Sequence, residues 1–195
     1  MAVALCIFTV SVLVLALPCV FGGRYCNFDM LLPRDFDVGQ FFGYWYEIER
    51  TETTLGYYTF VSQTWGFTES YQNMHNMKLH YAGRPPGYYC MRGTHELLPY
   101  IGAPGRFLME DTSNVFQVVD TDYNTYALVY ICYGQRLKQG YCHMSNMHVS
   151  LLSRHPSSDF AERDIIQHIS NRCITRKDLV RAPEVGMYCS TGILT

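Results

Sequence analysis

The chain has 195 residues and a formal net charge of −2, with 15 lysines and arginines against 17 aspartates and glutamates. A near-neutral chain without a basic stripe lacks the electrostatic footprint of a nucleic-acid-binding protein, so its composition argues against that class. Aromatic residues make up 15% and charged residues 16% of the chain, which suits a β architecture around an apolar interior.

The N-terminus predicts a signal peptide over residues 1–22. Residues 2–17 form an almost unbroken apolar run, and the small residues that follow suit cleavage after Gly22. The run is too short for a convincing membrane span, and no other segment is apolar enough for one. We therefore expect a secreted, extracellular protein in which residues 23–195 form a single domain.

The cysteines predict a disulfide-bonded domain. Of the 8 cysteines, Cys6 and Cys19 leave with the signal peptide, and the six that remain are an even number, which predicts three disulfides. Six cysteines allow many pairings, and the residues alone favour one of them. Cys132 and Cys142 flank a polar, glycine-containing loop between two strand patterns, so a hairpin would bring them within bonding distance. No close group of cysteines and histidines has the spacing of metal ligands, and no metal site is expected.

The middle of the chain alternates in short segments separated by Gly, Pro, Asn and Asp, as all-β domains do. The predicted strands lie near 43–51, 59–69, 76–83, 87–97, 105–111, 115–120, 124–133 and 142–153. Eight strands that close into an antiparallel up-and-down barrel remove their exposed edges and enclose a cavity for a small ligand.

A change of period after the last strand predicts one C-terminal helix. Asp159 and Glu162 have the spacing of a capping box, which marks a helix start. Ala161, Ile165 and Ile169 recur every four residues, and with Ile166 they form one apolar stripe that Cys173 continues. The predicted architecture is an eight-stranded barrel with this helix packed on its wall.

Three short segments carry a resemblance to a known family: Gly43-Tyr44-Trp45-Tyr46, Thr121-Asp122-Tyr123 and Ser153-Arg154. In this order, with strand-like sequence between them, they resemble the three signature regions of the lipocalins, which are secreted barrels that carry small, mostly apolar molecules. Residues 35–49 resemble the opening of apolipoprotein D, a member of that family. The resemblance implies that Arg154 stacks on a floor tryptophan, Trp45. Gly43, Trp45, Thr121, Asp122, Tyr123 and Arg154 would then close the barrel floor and would not choose the ligand.

The cysteine positions resemble those of another lipocalin, plasma retinol-binding protein. That resemblance implies the pairs Cys26–Cys173, Cys90–Cys189 and Cys132–Cys142, the last of which agrees with the hairpin argument.

Strand alternation and the same comparison give a candidate cavity wall. Its residues are Glu47, Glu49, Gln63, Trp65, Phe107, Met109, Ala127, Val129, His148, Ser150 and Leu152. Alternation predicts that Glu47 and Glu49 share the face of Trp45 and that Ile48 points outward. A buried carboxylate needs polar partners, and the candidates are the ligand, ordered water or His148. The alternative is that both glutamates lie at the rim, in water.

These observations favour a secreted carrier of a small hydrophobic ligand of the retinoid, bilin, steroid or fatty-acid-like classes. The polar residues of the wall favour a ligand that itself has polar groups. The alternative is an extracellular interaction module that binds another protein through its open-end loops, residues 53–58 and the Cys132–Cys142 hairpin. An enzyme is not expected, since no catalytic motif is present and six paired cysteines leave no reactive thiol. No cofactor other than the bound ligand is expected.

Overall fold

The computed structural model describes residues 25–27, 35–51, 62–70, 76–85, 87–112, 114–134, 141–156, 178–182 and 188–192. The strands and the helix over these residues are β1 (Tyr25–Asn27), α1 (Val38–Phe41), β2 (Gly43–Thr51), β3 (Ser62–Glu69), β4 (Met77–Arg84), β5 (Met91–Pro99), β6 (Arg106–Met109), β7 (Val115–Thr121), β8 (Tyr126–Cys132), β9 (Tyr141–His143), β10 (Met147–Ser153) and β11 (Leu179–Arg181). Strands β2 to β8 pair in sequence order, and β10 pairs with both β8 and β2. The predicted closed, eight-stranded antiparallel barrel is therefore confirmed.

The predicted eighth strand, 142–153, is wrong in its first part. A 3-10 turn at Met144–Asn146 interrupts it, so that β9 pairs with β1 outside the barrel and only β10 belongs to the wall. The predicted signal peptide and the helix expected from Asp159 lie outside the described residues. Among the helices of the described segments, none is both long and apolar enough to cross a membrane.

A β-bulge in β2 changes which side chains face the interior. Leu152 of β10 pairs with Glu47, whereas the preceding Leu151 pairs with Glu49, so Ile48 is the extra residue. Because a bulge places two successive residues on one face, Ile48 and Glu49 both point outward. The expectation that Glu49 faces the cavity with Glu47 is wrong. The next residue, Arg50, pairs with Ser150 and faces the interior instead.

The barrel wall separates two apolar clusters. The interior cluster contains Trp45, Trp65, Phe67, Phe107 and Phe116, and none of these side chains is more than 1% exposed. A second buried cluster covers the outer face of β7, β8 and β10. Its members are Val115, Val119, Leu128, Tyr130, Cys132, Cys142, Met147, Val149 and Leu179. The outer face of these strands is thus apolar as well as much of the inner face, which explains the continuous apolar sequence of β8.

Two disulfides lie in the described segments. Cys90 is bonded to Cys189 and Cys132 to Cys142, with Cα atoms 5.7 and 5.9 Å apart. Both are pairs that the resemblance implies. The third implied pair, Cys26–Cys173, involves a residue outside the described segments. A bond that closes a long loop stabilises the fold mainly by limiting the freedom of the unfolded chain, and Cys90–Cys189 spans 99 residues.

The barrel has two different ends. At the closed end, α1 and the turn from Thr121 to Tyr126 lie against the start of β2 and the end of β10. The opposite end, called the open end below, is where β4 connects to β5, β6 to β7 and β8 to β9. Because adjacent strands are antiparallel, alternate connections lie at the same end.

Candidate functional site

Arg154 and Trp45 form the floor of the barrel. The guanidinium carbon of Arg154 lies 3.7 Å from the centroid of the Trp45 ring, and the indole Nε1 donates to the backbone oxygen of Phe41 at 3.0 Å. The guanidinium also donates to four backbone oxygens: Nε to Tyr123 at 3.0 Å, Nη1 to Tyr44 at 3.0 Å, and Nη2 to Gln40 at 3.1 Å and Phe41 at 3.4 Å. One side chain therefore joins α1, β2 and the turn after β7. This is the arrangement that the lipocalin resemblance implies.

Gly43 makes room for this arginine. A Cβ atom at Gly43 would lie 3.0 Å from Arg154 Nη1, and the φ angle of +103° is one that residues with a side chain rarely adopt. Glycine is thus required at the first residue of β2.

The turn between β7 and β8 is organised by Asp122. Its Oδ1 accepts hydrogen bonds from three backbone amides: those of Asn124 at 3.1 Å, Thr125 at 2.8 Å and Tyr126 at 3.0 Å. Partial burial would raise the pKa of Asp122, but the hydrogen bonds from Thr125, Tyr126 and Asn124 hold it below its ordinary value. The hydroxyl of Thr121 donates to the backbone oxygen of Tyr126 at 2.7 Å. The turn is thus fixed by side chains and does not depend on glycine.

Replacing Asp122 with alanine is expected to lower the free energy of unfolding by about 1–2 kcal/mol, since three amides lose their acceptor while water replaces it in part. Urea denaturation followed by circular dichroism measures the change. Asp122→Asn is the matched control because it keeps one acceptor oxygen, and it is expected to lose less than half as much. Equal losses in the two variants would contradict this role for Asp122.

The closed half of the interior is filled by aromatic side chains. Ring centroids lie 5.1 Å apart for Phe41 and Trp45, 5.6 Å for Phe67 and Phe116, and 6.2 Å for Phe107 and Phe116. Such spacings are typical of packed aromatic cores.

A polar cluster lies on the interior face next to this aromatic core. It consists of Glu47, Arg50, His148 and Ser150, and it is called the Glu47 cluster below. Glu47 Oε2 lies 2.9 Å from Arg50 Nη1, and Oε1 lies 3.2 Å from His148 Nε2 and 2.6 Å from the hydroxyl of Ser150. The Glu47 side chain is fully buried, while Arg50 and His148 remain 13% and 11% exposed. The glutamate is therefore not at a wet rim, and His148 is the partner that the sequence suggests.

These partners keep Glu47 ionised inside the barrel. Burial alone would raise its pKa, but the hydrogen bond and charge of His148, the charge of Arg50 and the hydrogen bond from Ser150 hold the pKa below its ordinary value. Glu47 in turn affects its neighbours. Burial, followed by the negative charge of Glu47, raises the pKa of Tyr133 to about 12. Because the carboxylate already has partners within the chain, it does not need a ligand to satisfy it.

The Glu47 cluster does not have the geometry of a hydrolytic triad. In a triad the carboxylate holds one ring nitrogen of histidine and the hydroxyl binds the other. Here Glu47 and Ser150 both contact Nε2 of His148, at 3.2 and 2.8 Å. The serine hydroxyl donates to the carboxylate and is not activated as a nucleophile. This arrangement differs from that of an acyl-transfer triad.

The open half of the interior contains polar and aromatic residues that the sequence did not single out. Tyr81 pairs across β3 and β4 with Trp65, and its ring stacks on His95 with centroids 5.2 Å apart. His95 Nδ1 lies 2.8 Å from a carboxylate oxygen of Asp111. Tyr81 is two residues from Leu79, which faces the interior, and His95 is paired with Leu79 on the neighbouring strand. This alternation is the signal that could have identified both residues. Over the residues described, no group of three or more metal-binding side chains occurs.

Trp65 carries a buried donor without an acceptor. Its side chain is 1% exposed, and within the described part of the chain Nε1 has no hydrogen-bond partner. The neighbouring interior positions towards the open end are Gln63, two residues earlier, and Tyr81, and both are partly exposed. Trp65 therefore lies between the aromatic closed half of the interior and these partly exposed residues. An unsatisfied buried N–H costs about 1–3 kcal/mol.

Ten of the eleven predicted wall residues face the interior. Trp65, Phe107, Met109, Ala127, Val129 and Leu152 belong to the interior cluster, and Glu47, Gln63, His148 and Ser150 share its face by strand register. Glu49 is the exception for the reason given above. Arg50, Tyr81, His95 and Tyr133 are interior or mouth residues that the sequence missed. Contact of any of these side chains with a ligand remains a prediction.

Comparisons with known proteins agree with the geometry. No protein-family model matches the sequence, and no curated protein is similar to it. Among solved structures, the chain is similar to the siderocalin Ex-FABP, described as functioning through dual ligand specificities, with a TM-score of 0.57 and 17% identity over 77% of this chain and 99% of that one. It is also similar to lobster apocrustacyanin A1, with a TM-score of 0.59 and 16% identity over 76% of this chain and 79% of that one. Together with the closed eight-stranded barrel, these likenesses show that the chain has the lipocalin fold.

Proposed function

We propose that this chain is a secreted lipocalin that carries a small, mainly apolar molecule with a hydrogen-bond acceptor in the open half of its barrel. The observation that carries the proposal is the buried Nε1–H of Trp65, which points to an occupant because the described chain offers it no acceptor. A carbonyl, ether or hydroxyl oxygen on the ligand would accept a hydrogen bond from this N–H. Molecules with such an oxygen occur in each of the retinoid, bilin, steroid and fatty-acid-like classes.

The barrel interior supports a ligand of mixed character. Aromatic rings from the closed half would contact an apolar body, while His148 and Arg50 present polar atoms that are partly exposed. Within the described residues His148 uses only its Nε2, so Nδ1 remains for a polar group of the ligand. Burial of the apolar body would supply most of the affinity, and these few polar atoms would fix the orientation.

The proposal also includes secretion and a relationship to two known lipocalins. Two disulfides support an extracellular location, because such bonds persist in oxidising compartments. The same two bonds support a cysteine arrangement similar to that of plasma retinol-binding protein. The sequence of residues 35–49 supports a first strand similar to that of apolipoprotein D. We infer a carrier and not an enzyme, since Ser150 is held by Glu47 and not activated.

Organic extraction of the native secreted protein, followed by mass spectrometry and absorbance, tests carriage directly. We expect about one small apolar molecule with an oxygen acceptor per chain, a stoichiometry set by a single barrel interior. A native barrel that yields no small molecule would instead favour the alternative of an interaction module. The loop 53–58 and most of the Cys132–Cys142 hairpin, on which that alternative rests, lie outside the described residues.

A further inference from the structure

The connection between β4 and β5 forms an exposed aromatic surface outside the barrel interior. Tyr88 is 72% exposed and Tyr89 is 94% exposed. Together with Arg84 and Arg92 they line a cleft at the open end, called the tyrosine–arginine surface below. Exposed tyrosines beside arginines are unusual in a free surface and are the residue types that dominate protein–protein binding energy.

Three contacts fix the backbone of this connection. The sequence Pro-Pro-Gly-Tyr is typical of a tight turn, and here Gly87 has φ +76° while the Tyr88 amide donates to the Pro85 oxygen at 3.1 Å. Cys90, two residues after Tyr88, is bonded to Cys189. Arg92 Nε donates to the backbone oxygen of Ser190 at 2.7 Å. A backbone fixed in this way loses little conformational entropy when the surface binds a partner.

The sequence around this surface contains basic residues and no acidic ones. No Asp or Glu occurs between Glu69 and Glu96, and that stretch contains Lys78, Arg84 and Arg92, although the whole chain has a net charge of −2. Lys78 pairs with Glu96 at 3.3 Å. Neither Arg84 nor Arg92 pairs with a carboxylate among the residues that the structure describes. Arg84 Nε is buried and Arg84 Nη2 lies 4.0 Å from Cys90 Sγ. Within the described residues, Arg84 Nη1 and the two Nη atoms of Arg92 are therefore the donors left for acidic groups from outside.

We propose that the tyrosine–arginine surface binds an acidic segment of another protein. Carboxylates of the partner would accept hydrogen bonds from Arg84 and Arg92, and its apolar side chains would pack on the rings of Tyr88 and Tyr89. Two cations are too few to hold the chain on an anionic membrane, which takes clusters of about 4–8 basic residues. Binding of this partner would not require a ligand in the barrel.

Fluorescence anisotropy with the full secreted chain tests this proposal. The probe is a labelled peptide of alternating glutamate and leucine, and the control peptide has glutamine in place of glutamate. The glutamate peptide is expected to bind at least about tenfold more tightly than the glutamine peptide, and to weaken as salt is raised. Equal binding of both peptides, or tighter binding of phosphatidylserine vesicles than of the glutamate peptide, would overturn the proposal.

Matched variants locate the binding. Tyr89→Ser and Arg84→Gln are each expected to weaken binding of the glutamate peptide by about tenfold. Ile101→Ser is the control, because Ile101 is fully exposed at the closed end of the barrel. Tyr89 is almost fully exposed, so its variant is expected to fold even if Arg84→Gln does not. Unchanged binding by Tyr89→Ser, or an equal loss in Ile101→Ser, would place the peptide elsewhere and overturn the proposal.

Discussion

Replacing Arg154 with alanine is expected to lower the free energy of unfolding by about 3–5 kcal/mol. The variant loses the contact of the guanidinium with the Trp45 ring and leaves four backbone oxygens without their charged donor. It also removes the hydrogen bonds by which this side chain joins α1 to the turn after β7. Urea denaturation with the disulfides intact, followed by circular dichroism, measures the loss.

Arg154→Lys is the control for this prediction. Lysine keeps the positive charge, but a single ammonium group cannot reach carbonyl oxygens on three segments at once. It is expected to restore less than half of the lost stability. An alanine variant within about 1 kcal/mol of the wild type would contradict the role of Arg154 as the principal connection of the floor.

Replacing Glu47 with alanine is expected to cost about 3–5 kcal/mol, because Arg50 and His148 lose their partner inside the barrel. Burial acts to raise the pKa of Glu47, and His148, Arg50 and Ser150 together lower it below the ordinary value of 4.5. A carboxyl whose pKa is lower in the folded state stabilises the fold above its unfolded pKa. This stability is lost as the pH falls through the lower, folded pKa. The difference between wild type and variant is therefore expected to be largest above pH 4.5 and to shrink below it.

Glu47→Gln removes the charge of the side chain while keeping its size, so it measures the effect of the charge alone. Glutamine keeps the size and one acceptor oxygen, so its variant is expected to lose less stability than the alanine variant at neutral pH. Its difference from the wild type is expected to disappear in acid, where the wild-type carboxyl is also neutral. A gap between wild type and Glu47→Gln that stays constant from pH 7 down to about pH 3 would show that the charge of Glu47 does not stabilise the barrel.

Much of the barrel and its closed end could be predicted from the sequence. Strand alternation and turn residues predict the barrel, and the resemblance of three short segments to the lipocalin signature regions implies the floor built from Trp45, Asp122 and Arg154. These features are local, since each depends on a residue type at a fixed place in one strand or turn. The Cys132–Cys142 bond is local in the same sense, because a hairpin brings its own ends together.

The interior of the open half could not be predicted in the same way. A single bulge at Ile48 moves Glu49 outward and Arg50 inward, and nothing in the alternating sequence Glu-Ile-Glu-Arg marks it. Tyr81 and His95 are brought beside Trp65 by pairing between strands that the sequence does not specify. The partners of Glu47 depend on the closure of β2 on β10, which are a hundred residues apart in sequence.

The indole resonances of the two tryptophans offer the most direct test of the carrier account. The Nε1–H of Trp45 is bonded to the Phe41 oxygen, whereas that of Trp65 has no acceptor among the described residues, and labelling tryptophan with ¹⁵N makes both visible. Undecan-2-one, which has an acceptor, is compared with undecane, which has none, and Trp65→Phe assigns the signals. We predict that the ketone moves the Trp65 resonance downfield, leaves that of Trp45 in place, and has a larger effect than the hydrocarbon. An unmoved Trp65 resonance at saturating ketone, or equal shifts with both probes, would contradict the account.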